Sequence, residues 1–185
     1  LDFLLLFEDR LRADEPPITA PTNRLAWARD CLFVRMLITN PLRINHYKMM
    51  TWCPDNTGNI RRAEDGVWWL IFEPRHFKNH TGSAKRRYEA RVDPWAVELL
   101  EWYLEDIRPH LVGADSSDYM FLRATRTAYN NERYMLKQLG PRIRKLTKLY
   151  LYDIAPDGFG PHAFRHIVAT ALLKAGHHVD VVAAA

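Results

Sequence analysis

Long apolar runs are missing from this chain of 185 residues. The longest, residues 31–37, is interrupted by Arg35, and none approaches the roughly 20 residues of a transmembrane helix. Residues 1–7 are apolar but lack the basic flank and small-residue cleavage site of a signal peptide. Cysteine is scarce. Cys31 and Cys53 form neither a CxxC nor any other metal spacing, which argues against a disulfide framework and fits a reducing cytosol. Internal repeats and low-complexity tracts are absent, which excludes solenoids and disordered tails. The chain opens on Leu rather than Met, so a fragment is expected. What remains is 48% hydrophobic and 26% charged, the balance of a globular domain long enough to bury a full core.

Acidic residues are also unevenly missing. The net charge is only +4 and the pI about 9.1. Between Arg123 and Lys148, however, eight basic residues (Arg123, Arg126, Arg133, Lys137, Arg142, Arg144, Lys145, Lys148) face one acid, Glu132. Lys85, Arg86, Arg87 and Arg91 form a second cluster, beside His76, Lys78 and His80. Either cluster alone reads as a solvated face. Together they read better as a surface that meets phosphates.

Turn and cap signals divide the chain. Residues 1–13 predict a helix, either the end of another domain or an arm packed on this one. Residues 14–22 carry three prolines and predict a linker. Residues 23–39 predict a central helix, apolar on most faces in its second half. Asn40 as N-cap and Pro41 at the first helical position predict a second helix through Met50. A β region follows: a short strand at 51–53, a turn at 55–58, a strand at 66–72, a hairpin tip at 80–83 and a return strand at 87–92. Asp93-Pro94 repeats the cap signal for a helix to about Ile107. Residues 128–150 predict a helix broken at Gly140-Pro141. Pro161 starts another that ends at Gly176, and 179–185 begins one more. The class is mainly α with one small antiparallel β-sheet inserted after the second helix.

The helix after Pro161 carries the most chemistry. Phe164, Ile167, Val168, Ala171 and Leu172 follow the spacing of a buried stripe. His162, Arg165 and His166 fall opposite, in the first turns, where free N–H groups and the helix dipole favour an anion. A phosphate clamp and a solvated capping face both fit. His162 and His166 are also spaced i, i+4, as zinc ligands can be. The residue after His162 is Ala163 rather than the Glu of a zincin, and no acidic third ligand lies nearby. Arg43 stands two residues after Pro41, again at a helix start. Lys78 lies near a strand end before the hairpin tip, where it could reach into a groove and donate a proton. Lys85 is its rival.

In this order the residues resemble the tyrosine recombinase (phage integrase) catalytic domain. The matching pieces are Asn40-Pro41-Leu42-Arg43-Ile44, a Lys on a β-hairpin, and Pro161-His162-Ala163-Phe164-Arg165-His166 followed by Ala169-Thr170 and Leu172-Leu173. The resemblance covers about residues 21–185. Residues 1–20 would then be a helix and linker ending a DNA-clamping domain.

The resemblance implies a mainly α fold with a three-stranded antiparallel sheet. It also implies strand cleavage by a tyrosine nucleophile through a 3′-phosphotyrosyl bond, without metal or nucleotide cofactor. By it, Arg43 and Arg165 clamp the scissile phosphate, Lys78 protonates the leaving 5′ oxygen, and His162 serves as donor or acid–base. Lys85, Arg86, Arg87, Arg142, Arg144, Lys145 and His166 are the candidate DNA contacts. The implied partners are double-stranded DNA and further copies of the protein on that DNA, in the cytoplasm at the nucleoid.

The chain also departs from the family pattern. His46 stands where the family often has Glu or Asp three residues after the first Arg. Asn-Pro replaces the common Thr-Gly before Leu42-Arg43. The later His or Trp and the nucleophilic Tyr are expected beyond Ala185. Tyr150 and Tyr152 precede the His-x-x-Arg helix and read as core or DNA-facing aromatics. A DNA-gripping module that does not cut is the alternative function.

Overall fold

Eleven consecutive residues, Ala28 to Ile38, are buried in helix α2 (Pro21–Thr39), so this part of the helix is enclosed on every side. The computed structural model in which this is seen describes residues 1–74, 87–125 and 133–177. Around α2 lie α1 (Asp2–Ala13), α4 (Pro94–Trp102) and α6 (Pro161–Lys174). Helices α3 (Ile44–Met49) and α5 (Arg133–Tyr150) pack on each other beside them. The result is a mainly helical protein with one three-stranded antiparallel sheet, as the sequence implies.

A fully enclosed helix must neutralise its own charges. Asp30, fully buried, accepts from Arg29 and from Arg142 of α5, the latter at 2.7 Å from Nε. Arg35 pairs with Glu8 of α1, donates to the Trp95 carbonyl, and stacks 3.9 Å from the Trp95 ring. Helix α1 contributes Leu4, Phe7 and Leu11 to the same core, at helical spacing. It is fastened at its far end by Arg10, bidentate to Asp153, and by Tyr150, whose hydroxyl donates to Asp14. These contacts pack α1 against the end of α5 and the turn after it.

The sheet runs β1 (Ile60–Arg62), β2 (Trp68–Phe72), β3 (Tyr88–Arg91) in spatial order. Ile60 faces Leu70 and Leu70 faces Ala90, and the row points inward. The outer row is Arg61, Trp69 and Arg91, with the Arg91 guanidinium 5.3 Å from the Trp69 ring.

Several local expectations are corrected. Thr51 forms one isolated bridge, to Tyr119, instead of a strand at 51–53. The bridge consists of the bonds from Trp52 N–H to Asp118 and from Met120 N–H to Met50, while Thr51 N–H turns to the Asn59 side chain. The first strand is instead Ile60–Arg62. Helix α3 starts at Ile44 with Arg43 as its N-cap residue, not at Leu42 capped by Asn40. Helix α4 is capped by Asp93, which accepts from Trp95 N–H as its Asp-Pro start predicts. Past Trp102 it widens into a π turn, Tyr103–Ile107, then tightens into a 3-10 turn, Arg108–His110. Helix α5 runs through Pro141 unbroken. Burial of Leu139, Ile143 and Leu146 on one face offsets the hydrogen bond that proline removes. The hairpin tip at 80–83, the start of the helix expected at 128, and the helix expected at 179–185 lie outside the described residues.

Candidate functional site

The site forms where the turn before α3 meets the first turns of α6. A concavity of about 540 Å³ is lined by Pro41, Arg43, Ile44 and Asn45 on one wall and Pro161, His162, Arg165, His166 and Ala169 on the other. No carboxylate lines it among the described residues. Two arginines and two histidines therefore share one open pocket without an acid to neutralise them.

Each side chain is set by its backbone. Pro161 at the first turn starts α6, and the loop before it is pinned by Thr147, whose hydroxyl bonds both N–H and carbonyl of Phe159. Gly158 lies in that loop at φ +62, with the space a Cβ would need filled by the Arg144 carbonyl. Phe164 and Val168 bury the opposite side of α6, which turns His162 and His166 outward. Their Nε2 atoms lie 2.8 Å apart, so the N–H of one ring donates a hydrogen bond to the other ring's nitrogen.

Arg165 is half-buried. Its Nη1 donates to the Pro41 carbonyl at 2.6 Å, a bond that holds the two walls together. Burial lowers its pKa, and the neighbouring positive charge of Arg43 lowers it further. An arginine stays protonated regardless, so the half-buried Arg165 keeps its charge beside that of Arg43. Tyr47 and Tyr88 stand near the same guanidinium. Burial raises both phenol pKa values, and the Arg165 charge draws them partly back. Arg43 is exposed and caps α3 with extended backbone.

The expected site residues thus divide. Arg43, His162, Arg165 and His166 come together. Arg144 and Lys145 lie exposed on α5. Arg142 is engaged with Asp30 in the interior, and Arg87 pairs with Glu73 and Glu89 on the surface. Lys78, Lys85 and Arg86 lie outside the described residues. His46 is buried edge-on to Phe72 at 5.0 Å, which places it against the sheet. For zinc, the pair His162–His166 finds no third ligand among the described residues. Tyr150 and Tyr152 line a separate concavity with Arg10 and Asp14, away from the two arginines.

The profile of the Phage integrase family matches residues 18–185. The chain belongs to this family. No curated protein and no solved structure matches it. Membership makes the chain a tyrosine recombinase domain, of a family that acts in site-specific DNA recombination. The mainly helical fold with its small antiparallel sheet is that of the integrase catalytic domain. Among the described residues, no helix is long and apolar enough to cross a membrane.

Sequence reasoning did not single out Asn45, which lines the pocket, and had Ala169 only as part of the matching motif. The long-range partners of the Asn40 side chain leave no local signal in the sequence.

Proposed function

We propose that this integrase domain holds a scissile DNA phosphate between Arg43 and Arg165 and supports its transfer to a tyrosine. The observation that carries the proposal is the acid-free pocket shared by the two arginines and His162. Two guanidinium forks can engage the nonbridging oxygens and stabilise the charge that builds in the transition state.

The attacking tyrosine, by the family resemblance, follows α6. Its oxygen bonds to phosphorus as the bond from phosphorus to the 5′ oxygen breaks. The tyrosine proton passes to His162, and Lys78 delivers a proton to the departing 5′ oxygen. The 5′-hydroxyl of another strand reverses the step and frees the tyrosine. The chemistry needs positioning and positive charge, both of which these side chains supply. Arg144 and Lys145, exposed on α5, would meet the DNA backbone on either side, and Lys85 and Arg86 would do so from the hairpin segment. The active unit would be several copies of the protein assembled on DNA in the cytoplasm.

The test is a denaturing gel of the protein carrying its downstream tyrosine, incubated with duplex DNA. A covalent adduct that is lost in Arg43→Ala and in Arg165→Ala supports the proposal. Salt-dependent binding without an adduct would leave the non-cleaving DNA module in its place.

A further inference from the structure

We propose that Asn40 is a positioning residue that sets the geometry of the Arg43–Arg165 clamp and couples it to strand β3. The inference rests on the phosphate-clamp reading given above and concerns a residue with no contact to the phosphate.

Asn40 is 8% exposed, and every polar atom it has is engaged. Its N–H donates to Met36 at the end of α2. Its carbonyl accepts from Leu42 N–H at 2.6 Å and from the Tyr47 hydroxyl at 2.5 Å. Its Nδ2 donates to the Arg91 carbonyl at 3.0 Å, and its Oδ1 accepts from Asp93 N–H at 3.3 Å. One residue therefore joins the end of α2 and the turn that bears Arg43 through its backbone, and the corner between β3 and α4 through its side chain.

That turn controls both arginines. Pro41, the next residue, gives its carbonyl to Arg165. Arg43, two residues further, is the cap of α3. Fixing the peptide at Asn40 fixes the acceptor of one guanidinium and the backbone origin of the other. Strand β3 enters the same assembly, since Tyr88 stands near Arg165 and Arg91 is held by Asn40. Proline at 41 cannot donate a hydrogen bond and leaves this short turn few internal bonds. Fastening therefore falls to Asn40, supported by the Tyr47 hydroxyl from within α3.

The magnitude follows from the sensitivity of a two-pronged clamp. A displacement of about 1 Å in a reacting group costs on the order of a hundredfold in rate. A ground-state anion held by the same two forks loses less, about tenfold.

The test is an NMR titration of the full chain with inorganic phosphate, read at the side-chain Nε–H signals of Arg43 and Arg165. Asn40→Ala is expected to weaken phosphate binding about tenfold. Tyr47→Phe, which keeps the ring in the core and removes only the hydroxyl, is expected to weaken it about threefold. In an Arg43→Ala background, Asn40→Ala acts only through the Pro41 carbonyl on Arg165, so its effect should shrink to well under about tenfold. A defect unrelated to the clamp would weaken binding by the same factor in both backgrounds, and that result would overturn the proposal. Unchanged phosphate affinity in Asn40→Ala would also overturn it, with the clamp itself intact. If Asn40→Ala does not fold, Tyr47→Phe decides alone, and wild-type affinity in that variant overturns the proposal. If the wild-type arginine signals do not respond to phosphate at all, the clamp reading falls and this inference with it.

Discussion

The Nη1 of Arg165 donates to the carbonyl of Pro41 at 2.6 Å, across 124 residues of sequence. With one N–H of the fork committed to the protein, the rest of the guanidinium is oriented toward the pocket it shares with Arg43. Lysine could supply the charge but not a fork with one prong already fixed. Arg165→Lys is expected to lower strand cleavage by about a hundredfold or more, while DNA affinity changes by less than about threefold. Single-turnover cleavage beside a binding titration measures both. Equal losses in the two would place Arg165 in general DNA attraction instead.

The α5 cations fall into two classes that mutation should separate. Arg144 and Lys145 are exposed, so Arg144→Gln and Lys145→Gln should each reduce the salt slope of DNA binding by about one, with stability unchanged. Arg142→Gln should chiefly destabilise the fold, because it strips the fully buried Asp30 of one partner. A full salt-slope change in Arg142→Gln with wild-type stability would contradict this division.

Asp30 itself is the stronger probe of the core. Arg29 and Arg142 both donate to it, and removing the carboxylate takes an ion-pair partner from the buried Arg29. Asp30→Ala is expected to cost about 3–5 kcal/mol, the range for breaking one side of a buried pair. Urea unfolding monitored by tryptophan fluorescence gives the value, and a loss below about 1 kcal/mol would contradict the burial described.

Alkaline pH should unfold the protein through its buried phenols. Burial raises the pKa values of Tyr47 and Tyr103 above the ordinary tyrosine range. A raised folded value means the folded state keeps a proton that the unfolded chain releases. The associated stability is complete below about pH 10 and falls as pH rises beyond it. Tyr103→Phe should flatten the decline of stability between about pH 10 and 11, although it also leaves the Met120 carbonyl without its donor. An equal slope in the variant and the wild type would contradict the assignment.

Much of this was legible in the sequence where the signal is local. The spacing of Phe164 and Val168 against His162 and His166 sorted one helix into a buried and an exposed side. Asp93-Pro94 marked a helix start that the Asp93 carboxylate indeed caps. Asn40-Pro41 carries the same signature and does something else, because Arg91 and Asp93 outbid the local cap for its side chain. Arg142 looked like its neighbours Arg144 and Lys145, since nothing nearby in sequence announces Asp30, 112 residues away. Strand β1 was missed because Ile60–Arg62 holds a single apolar residue, and its pairing depends on β2 rather than on its own composition. Pro141 misled for the opposite reason: a local helix breaker lost to the buried face of Leu139, Ile143 and Leu146.

The most direct measurement is the response of the Arg43 and Arg165 side-chain signals to inorganic phosphate in the full chain. A phosphate clamp predicts that both signals shift together along one saturable curve, and that Arg165→Ala abolishes the shift at Arg43. Shifts confined to the exposed cations of α5, with Arg43 and Arg165 unmoved, would contradict it.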